Sequence, residues 1–412
     1  MNIPELLAPA GDPEVLETAL YFGADAVYGG MRRFGLRAFA GNFDETEMRS
    51  AAEACHRLGK KLYVTLNAFP TDEEWPDFLD AARQAEACGA DAVIVSDLGA
   101  ILAVRRACPS LPVHVSTQAN TMNSEAVRHY AALGCSRVIL ARELTLKQIE
   151  ALCAQADGIE LETFVHGASC MAYSGRCLLS SALTGRSGNR GACAQPCRWQ
   201  YAIQEEKQPG VYLPVAEDSR GTYIFSARDL NLMPLLPQLC GAGIRSLKIE
   251  GRMKTAYYVA TVTAAYRKGL DLLRDGGEAA FAEALPDLMA ELACASHRES
   301  DTGFLLGPPA RPAGPAGCTQ NREYLGKVLE TGLADGTCVL QLKNRFYRGD
   351  PLELLTPQGV LPFEAGPLYR EKTGEWLDTF GVGGERIRLR LPEASHAGDI
   401  LRGPVRNHQT SG

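Results

Sequence analysis

The chain has 412 residues, 46% of them hydrophobic and 22% charged, and a formal net charge of −7. That length holds a large domain plus a smaller one, the balance is that of an ordinary globular protein, and the acidic total argues against a surface coated for nucleic acid. No apolar run is long enough for a membrane span, and the opening MNIPELLAPAGDPE lacks the basic region and long apolar stretch of a signal peptide, so a cytoplasmic protein with no membrane partner is expected.

Over the first 250 residues one grammar repeats: a helical segment stops at glycine and a short apolar strand follows. The joints are FGADAVYGG at Gly23, CGADAVIVSD at Gly89, LGCSRVILAR at Gly134 and AGIRSLKIEG at Gly243, and glycine just past a helix end supplies the left-handed turn that stops it. Two joints share Gly-Ala-Asp-Ala-Val, an internally repeated unit. The candidate strands are Leu6–Ala8, Ala26–Tyr28, Leu62–Leu66, Ala92–Val95, Val113–Ser116, Arg137–Leu140, Leu161–Val165 and Ser246–Ile249. Continuous apolar runs of this kind suit strands buried on both faces. Helical stretches lie between most of them, two opened by capping boxes, Thr71 with Glu74 and Thr145 with Gln148. The pattern predicts an α/β fold, a (β/α)8 TIM-like barrel over residues 1–255. An open doubly wound sheet is the alternative, weakened because no G-x-G-x-x-G follows the first strand.

Catalytic groups of such barrels sit at the C-terminal strand ends. Here those ends carry Asn67, Ser96, Asp97, Thr117, Gln118, Asn120, Arg142, Glu143, His166, Glu250 and Arg252, with Glu162 and Lys248 inside strands. Any single one reads as a loop cap or a salt bridge, but as a set they mark a polar pocket. His166 could be a general acid/base, a hydrogen-bond donor to substrate, or a loop tether. No H-E-x-x-H and no G-x-S-x-G is present.

The interval from residue 166 to 245 is far longer than one helix needs, and such insertions are usually functional. Nine of the thirteen cysteines are scattered through apolar contexts and read as small buried hydrophobes. The other four are clustered at 166–200 as Cys170-x6-Cys177-x15-Cys193-x3-Cys197. Four thiolates so close can hold zinc or an iron–sulfur cluster; only the last pair resembles a zinc knuckle. Arg176, Arg186, Arg190 and Arg198 lie in the same stretch with no acidic residue. They could screen a thiolate cluster or contact phosphates of a nucleic acid. Tyr173 and Trp199 could stack on bases or pack against the cysteine loop.

Beyond the barrel, residues 256–305 read as a helical extension and 306–321 as a Pro/Gly-rich linker. Residues 322–405 alternate as short strands of a small antiparallel β-barrel, and 406–412 form a tail.

The stretch ETFVHGASCMAYSGRCLLSSALTGRSGNRGACAQPCRW, residues 162–199, resembles the signature of the U-type collagenase-like peptidase family. ELLAPAG, YGG near Gly29, SARDL at Ser226, SLKIEGRMK at Ser246 and KNRFYRGD at Lys343 match as well, so the resemblance spans nearly the whole chain. The family label implies a peptidase without an assigned mechanism. Its better-understood members are bacterial proteins for hydroxylating a tRNA wobble uridine, a 23S rRNA cytidine and ubiquinone, several of which bind a [4Fe–4S] cluster; prephenate is linked to the RNA reactions. The NRF-x-x-GD domain makes this chain similar to the tRNA type. The resemblance thus implies an RNA hydroxylase acting on tRNA, dependent on cluster-assembly proteins, with prephenate as hydroxyl source. Cys170, Cys177 and Cys193 match cluster positions, and Cys197 matches the ligand of one member of the ubiquinone pair. Many relatives instead carry a cysteine after the Asp-Leu of the S-[KR]-DL motif, where this chain has Asn231. Glu162, His166, Gln118, Glu250 and Arg252 would line the pocket, and Lys343, Arg345 and Arg348 would help the arginines hold RNA. A collagen-directed peptidase and a non-catalytic zinc-containing RNA-binding protein are the alternatives.

Overall fold

The computed structural model describes residues 2–35, 41–170, 172–174, 176–199, 216–218, 221–223, 228–307, 318–377, 379–380 and 383–406. The core of the Pro/Gly-rich linker (308–317), the tail from 407 and Ser226 of SARDL lie outside them.

Strands and helices alternate as β1 (Glu5–Pro9), α1 (Pro13–Tyr21), β2 (Ala26–Gly30), α2 (Glu45–Arg57), β3 (Lys61–Leu66), α3 (Trp75–Ala87), β4 (Ala92–Val95), α4 (Leu98–Ala107), β5 (Val113–Val115), α5 (Ser124–Ala132), β6 (Arg137–Ile139), α6 (Leu146–Cys153) and β7 (Glu160–Ala168). The insertion follows, with α7 (Leu179–Thr184), the hairpin of β8 (Ala216–Asp218) and β9 (Gly221–Tyr223), and β10 (Asp229–Asn231). Then come α8 (Leu236–Gly241), β11 (Ser246–Ile249) and α9 (Ala256–Leu292), which kinks where Gly277 takes φ 72°. Each strand from β1 to β7 pairs in parallel with the next, and β11 closes the ring by pairing with both β7 and β1. The eight parallel strands are the eight apolar runs predicted, and the barrel is the predicted fold. Four helices, α1, α3, α5 and α8, stop on cue: the joint glycines 23, 89, 134 and 243 all take φ between 79° and 96°, a region closed to most side chains. Both predicted capping boxes form, and Asp44 with Glu47 makes another.

β10 runs antiparallel to β7, setting Asn231 opposite His166 and Asp229 opposite Ala168, and β12 (Ser300–Asp301) adds beyond it. The C-terminal unit is an antiparallel sheet of β13 (Arg322–Glu330), β14 (Cys338–Leu342), β16 (Pro351–Thr356), β17 (Gly359–Glu364), β18 (Leu368–Arg370), β19 (Trp376–Leu377), β21 (Arg386–Leu389) and β22 (Ile400–Pro404), with β15 (Phe346–Tyr347) paired to β20 (Thr379–Phe380) at its side. It folds around its own apolar core of Leu325, Leu340, Leu354, Ile387 and Leu401. It joins the barrel through a separate cluster, Phe22 and Tyr257 against Leu355 and Ile400. Polar ties surround that cluster: Tyr21 Oη donates to Asp399 Oδ1 at 2.8 Å, and buried Arg402 forks onto Glu291 at the end of α9 while its Nε reaches Glu353 at 2.9 Å. Among the described residues no helix is long and apolar enough to cross a membrane.

Candidate functional site at the barrel mouth

In a parallel strand every second side chain points to the barrel axis, and here the lower axis is ionic. Glu162 is fully buried; its Oε1 accepts from Lys248 Nζ at 3.0 Å and its Oε2 from Arg137 Nη1 at 3.1 Å. Arg137 also reaches Glu5 and Glu160, and Glu5 accepts from Tyr63 Oη at 2.7 Å and Ser246 Oγ at 3.0 Å. Lys248 Nζ sits 4.2 Å from the centre of the Tyr28 ring. Burial lowers its pKa, with the Glu162 charge working against that loss. Burial likewise pushes His114, beside Tyr63, well below the usual imidazole range. A buried ion pair is tolerated when each charge is matched and hydrogen-bonded, and Glu162 is. The sequence grouped Glu162 with the pocket; it lies two residues into β7, tied off below the mouth. Glu5, Tyr63, His114 and Arg137 were not singled out beforehand. Their only signal was a polar residue at an inward position of an apolar strand.

Above this layer the other candidates meet. Arg142 Nη1 donates to the Ala168 carbonyl at 2.8 Å, its Nη2 lies 3.5 Å from Glu250 Oε2, and its guanidinium covers the Phe164 ring at 3.8 Å. Gln118 is buried, its Oε1 beside Ser96 Oγ at 3.1 Å. His166 is 5% exposed, against Tyr266 and Tyr258, and burial pushes its pKa down to about 4, outweighing the nearby Asp229 charge. Its ring is therefore neutral near pH 7. Arg252 is buried and braced: Nη1 donates to Thr65 Oγ1 at 2.8 Å and Nη2 to Asn42 Oδ1 at 2.5 Å. Gly30 makes that bracing possible, because a Cβ there would lie 2.1 Å from Arg252 Nη2. Gly167, at φ 107°, lets β7 pass Glu250, whose carbonyl would be 2.5 Å from a Cβ. The structure thus places Gln118 after β5, His166 near the end of β7 and Glu250 and Arg252 after β11, with Arg142 in contact with Glu250.

The cysteine segment leaves the end of β7. Cys170 and Cys193 are exposed and Cys177 and Cys197 partly so, whereas seven of the scattered cysteines are buried. Thiols in loops rich in Gly, Ser and Arg are donor chemistry suited to an iron–sulfur cluster or zinc. Among the described residues no three His, Cys, Asp or Glu side chains are gathered as a metal-binding group. Asn231, at the position of the alternative cysteine, is buried, and its Oδ1 accepts from the Met233 amide at 3.1 Å. Arg190 ties the segment to the barrel through an ion pair with Glu74, whose carboxyl is held below its usual pKa first by the Thr71 backbone hydrogen bond and then by Arg190. Arg186 donates to the Ala192 carbonyl at 3.1 Å and Arg176 is exposed. The Arg198 side chain lies outside the described part. Tyr173 and Trp199 are exposed. In the C-terminal unit Lys343 pairs with Glu14 in the first turn of α1 at 3.2 Å. Arg345 and Arg348 are exposed, the latter 5.8 Å from the Trp376 ring. The three flank β15 but are not equivalent: Lys343 is engaged with the barrel.

The family described as Peptidase family U32 matches residues 11–313, and its Peptidase family U32 C-terminal domain matches residues 320–402. The chain is 35% identical to tRNA hydroxylation protein P of Escherichia coli (strain K12), covering 95% of this chain and 94% of that protein. It is 35% identical to the 23S rRNA 5-hydroxycytidine C2501 synthase of the same organism, over 90% of this chain and 55% of the longer relative. It is 32% identical to a protein named Collagenase from Porphyromonas gingivalis (strain ATCC BAA-308 / W83), over 97% of this chain and 98% of that one.

Proposed function

The chain belongs to peptidase family U32, and from that premise we propose that it is an RNA hydroxylase whose substrate is tRNA. The observation that carries the reading is the end-to-end likeness to a tRNA hydroxylation protein, barrel and C-terminal unit together. The finer reading is 5-hydroxyuridine formation at the wobble position. Exchanging C–H for C–OH takes two electrons from the base, and the step balances if the hydroxyl donor takes them up, its own C–OH becoming C–H. Cys170, Cys177, Cys193 and Cys197 would hold a [4Fe–4S] cluster, which supplies redox chemistry without molecular oxygen. Prephenate is the hydroxyl source in this reading. Gln118, His166, Glu250 and Arg252 line the polar pocket in this reading. His166, neutral at physiological pH, is suited to hydrogen bonding or to accepting a proton. Exposed Arg176, Arg345 and Arg348 supply contacts to phosphate.

Deleting the gene and profiling the nucleosides of total tRNA tests this: a hydroxylated uridine disappears and returns with the intact gene. An unchanged profile refutes it. Anaerobic purification should give iron and acid-labile sulfide; zinc without sulfide would point to the zinc-containing RNA-binding protein. The collagenase reading has the named relative in its favour. Among the described residues no hydrogen bond joins the His166 ring to a serine, threonine or cysteine side chain, so the usual nucleophile–base pair is missing there. Gelatin digestion abolished by a single mouth substitution would decide for it.

A further inference from the structure

Five buried side-chain atoms on one side of the barrel mouth have no hydrogen-bond partner among the described residues. They are Gln118 Nε2, Asn120 Oδ1 and Thr121 Oγ1 after β5, Arg142 Nε after β6, and His166 Nδ1 on β7. Gln118, Thr121 and His166 are each more than nine-tenths buried. Native interiors leave few polar atoms unpaired, and each exception asks for an explanation. These five fall on three consecutive strand ends that are stitched together: Thr117 Oγ1 donates to the Leu140 carbonyl at 3.0 Å, the Ala141 amide to the Thr121 carbonyl at 3.1 Å, and Arg142 Nη1 to the Ala168 carbonyl at 2.8 Å. Three consecutive strand ends form one wall.

The chemistry of the wall is mixed. Asn120 Nδ2 donates to the Gln118 carbonyl at 2.7 Å, which leaves the buried Oδ1 as an unpaired acceptor. Arg142 Nε only donates, while the Thr121 hydroxyl and the neutral His166 ring do either. A carboxylate or phosphate offers acceptors alone and would meet the Asn120 oxygen with a lone pair. The edge of a nucleobase is neutral, planar and alternates donors with acceptors. Arg142 is stacked on Phe164 and so held in place rather than swinging to a passing phosphate.

We infer that an unpaired nucleobase of the RNA seats against the ends of β5, β6 and β7, hydrogen-bonded by Gln118, Asn120 and Thr121 and flanked by Arg142 and His166. The inference rests on the RNA-hydroxylase reading and adds where the base lies. It makes Gln118 a base-binding residue.

Titration calorimetry on the anaerobically purified full chain tests it. The probes are the 5′-monophosphates of uridine, cytidine, adenosine and guanosine, with ribose 5-phosphate and succinate as base-free controls. At least one nucleotide should bind and neither control should. Gln118→Leu and Thr121→Val should each weaken that binding about tenfold, the scale of one lost base contact, and leave affinity for whole tRNA, dominated by phosphate contacts, within about twofold. Thr121→Val is nearly isosteric and keeps the test open if Gln118→Leu disturbs Ser96. Controls that bind as well as nucleotides would make the wall an anion site and overturn the inference. So would nucleotides that fail to bind at millimolar concentration, the wall then holding water, or variants that bind normally. Each of those results leaves the tRNA nucleoside profile to judge the hydroxylase reading separately.

Discussion

Burial outweighs the one acidic charge, Asp229, that acts on His166 among the described residues. Tyr258 and Tyr266 pack against it, and the charges that reach it, Asp229 on one side and His297 and Lys254 on the other, do not outweigh burial, so its pKa sits at about 4 against 6.5 in the open chain. The sign of the pH effect follows. Below pH 6.5 the unfolded ring takes up a proton that the buried ring refuses until about 4. Stability is therefore complete above that window and lost as pH falls through it, at up to about 1.4 kcal/mol per pH unit. Urea unfolding at pH 7 and pH 5 should reveal that loss, and His166→Asn should make it shallower without removing it, because His114 is held neutral by burial too. An unchanged slope in the variant would mean that His166 is solvated at the mouth. Glu162, by contrast, meets two cations in the interior, Arg137 and Lys248.

Elements carry the next scale. β2 ends in two glycines because two other elements need the room: the Phe43 ring closes on Gly29 and the Arg252 guanidinium on Gly30. Through Arg252 the loop after β11 is pinned to β3 and to Asn42 before α2. Gly30→Ala should therefore act as an overpacking substitution, lowering unfolding stability by about 1–3 kcal/mol. It should also weaken RNA hydroxylation, since Arg252 must leave its braces. The check is chemical denaturation alongside tRNA nucleoside analysis of cells carrying the variant; wild-type values in both would show that Arg252 has space elsewhere. β10 was not among the predicted strands. Three residues beside a long insertion give too short a pattern to detect, and only pairing with β7 defines it as a strand.

At the scale of the molecule, the barrel and the C-terminal unit share a small apolar seam and a buried ionic strut. Arg402 is 2% exposed and joins Glu291 of α9 to Glu353 of β16. Breaking one partner of a buried pair costs about 3–5 kcal/mol because the others are left charged in the interior. Arg402→Met should therefore loosen the strut, and calorimetry should resolve two melting transitions, the C-terminal unit melting first. A single transition at the wild-type temperature would assign the coupling to the apolar seam of Phe22, Tyr257, Leu355 and Ile400.

The sequence by itself determined the barrel: apolar runs of strand length, glycine after four of the helices and capping residues are local signals, and each acts within a few residues of where it is written. It also marked Gln118, His166, Glu250 and Arg252 as mouth residues, because a strand end is a local feature that the barrel places on one face. Only the tertiary structure decided the depth and the partners. Whether Glu162 lies at the mouth or below it depends on strand stagger. Whether Lys343 faces solvent or Glu14 depends on how two units dock. The five unpaired atoms on β5, β6 and β7 become one wall only when three strands align. These are contacts between residues far apart in the chain, and no local pattern encodes them.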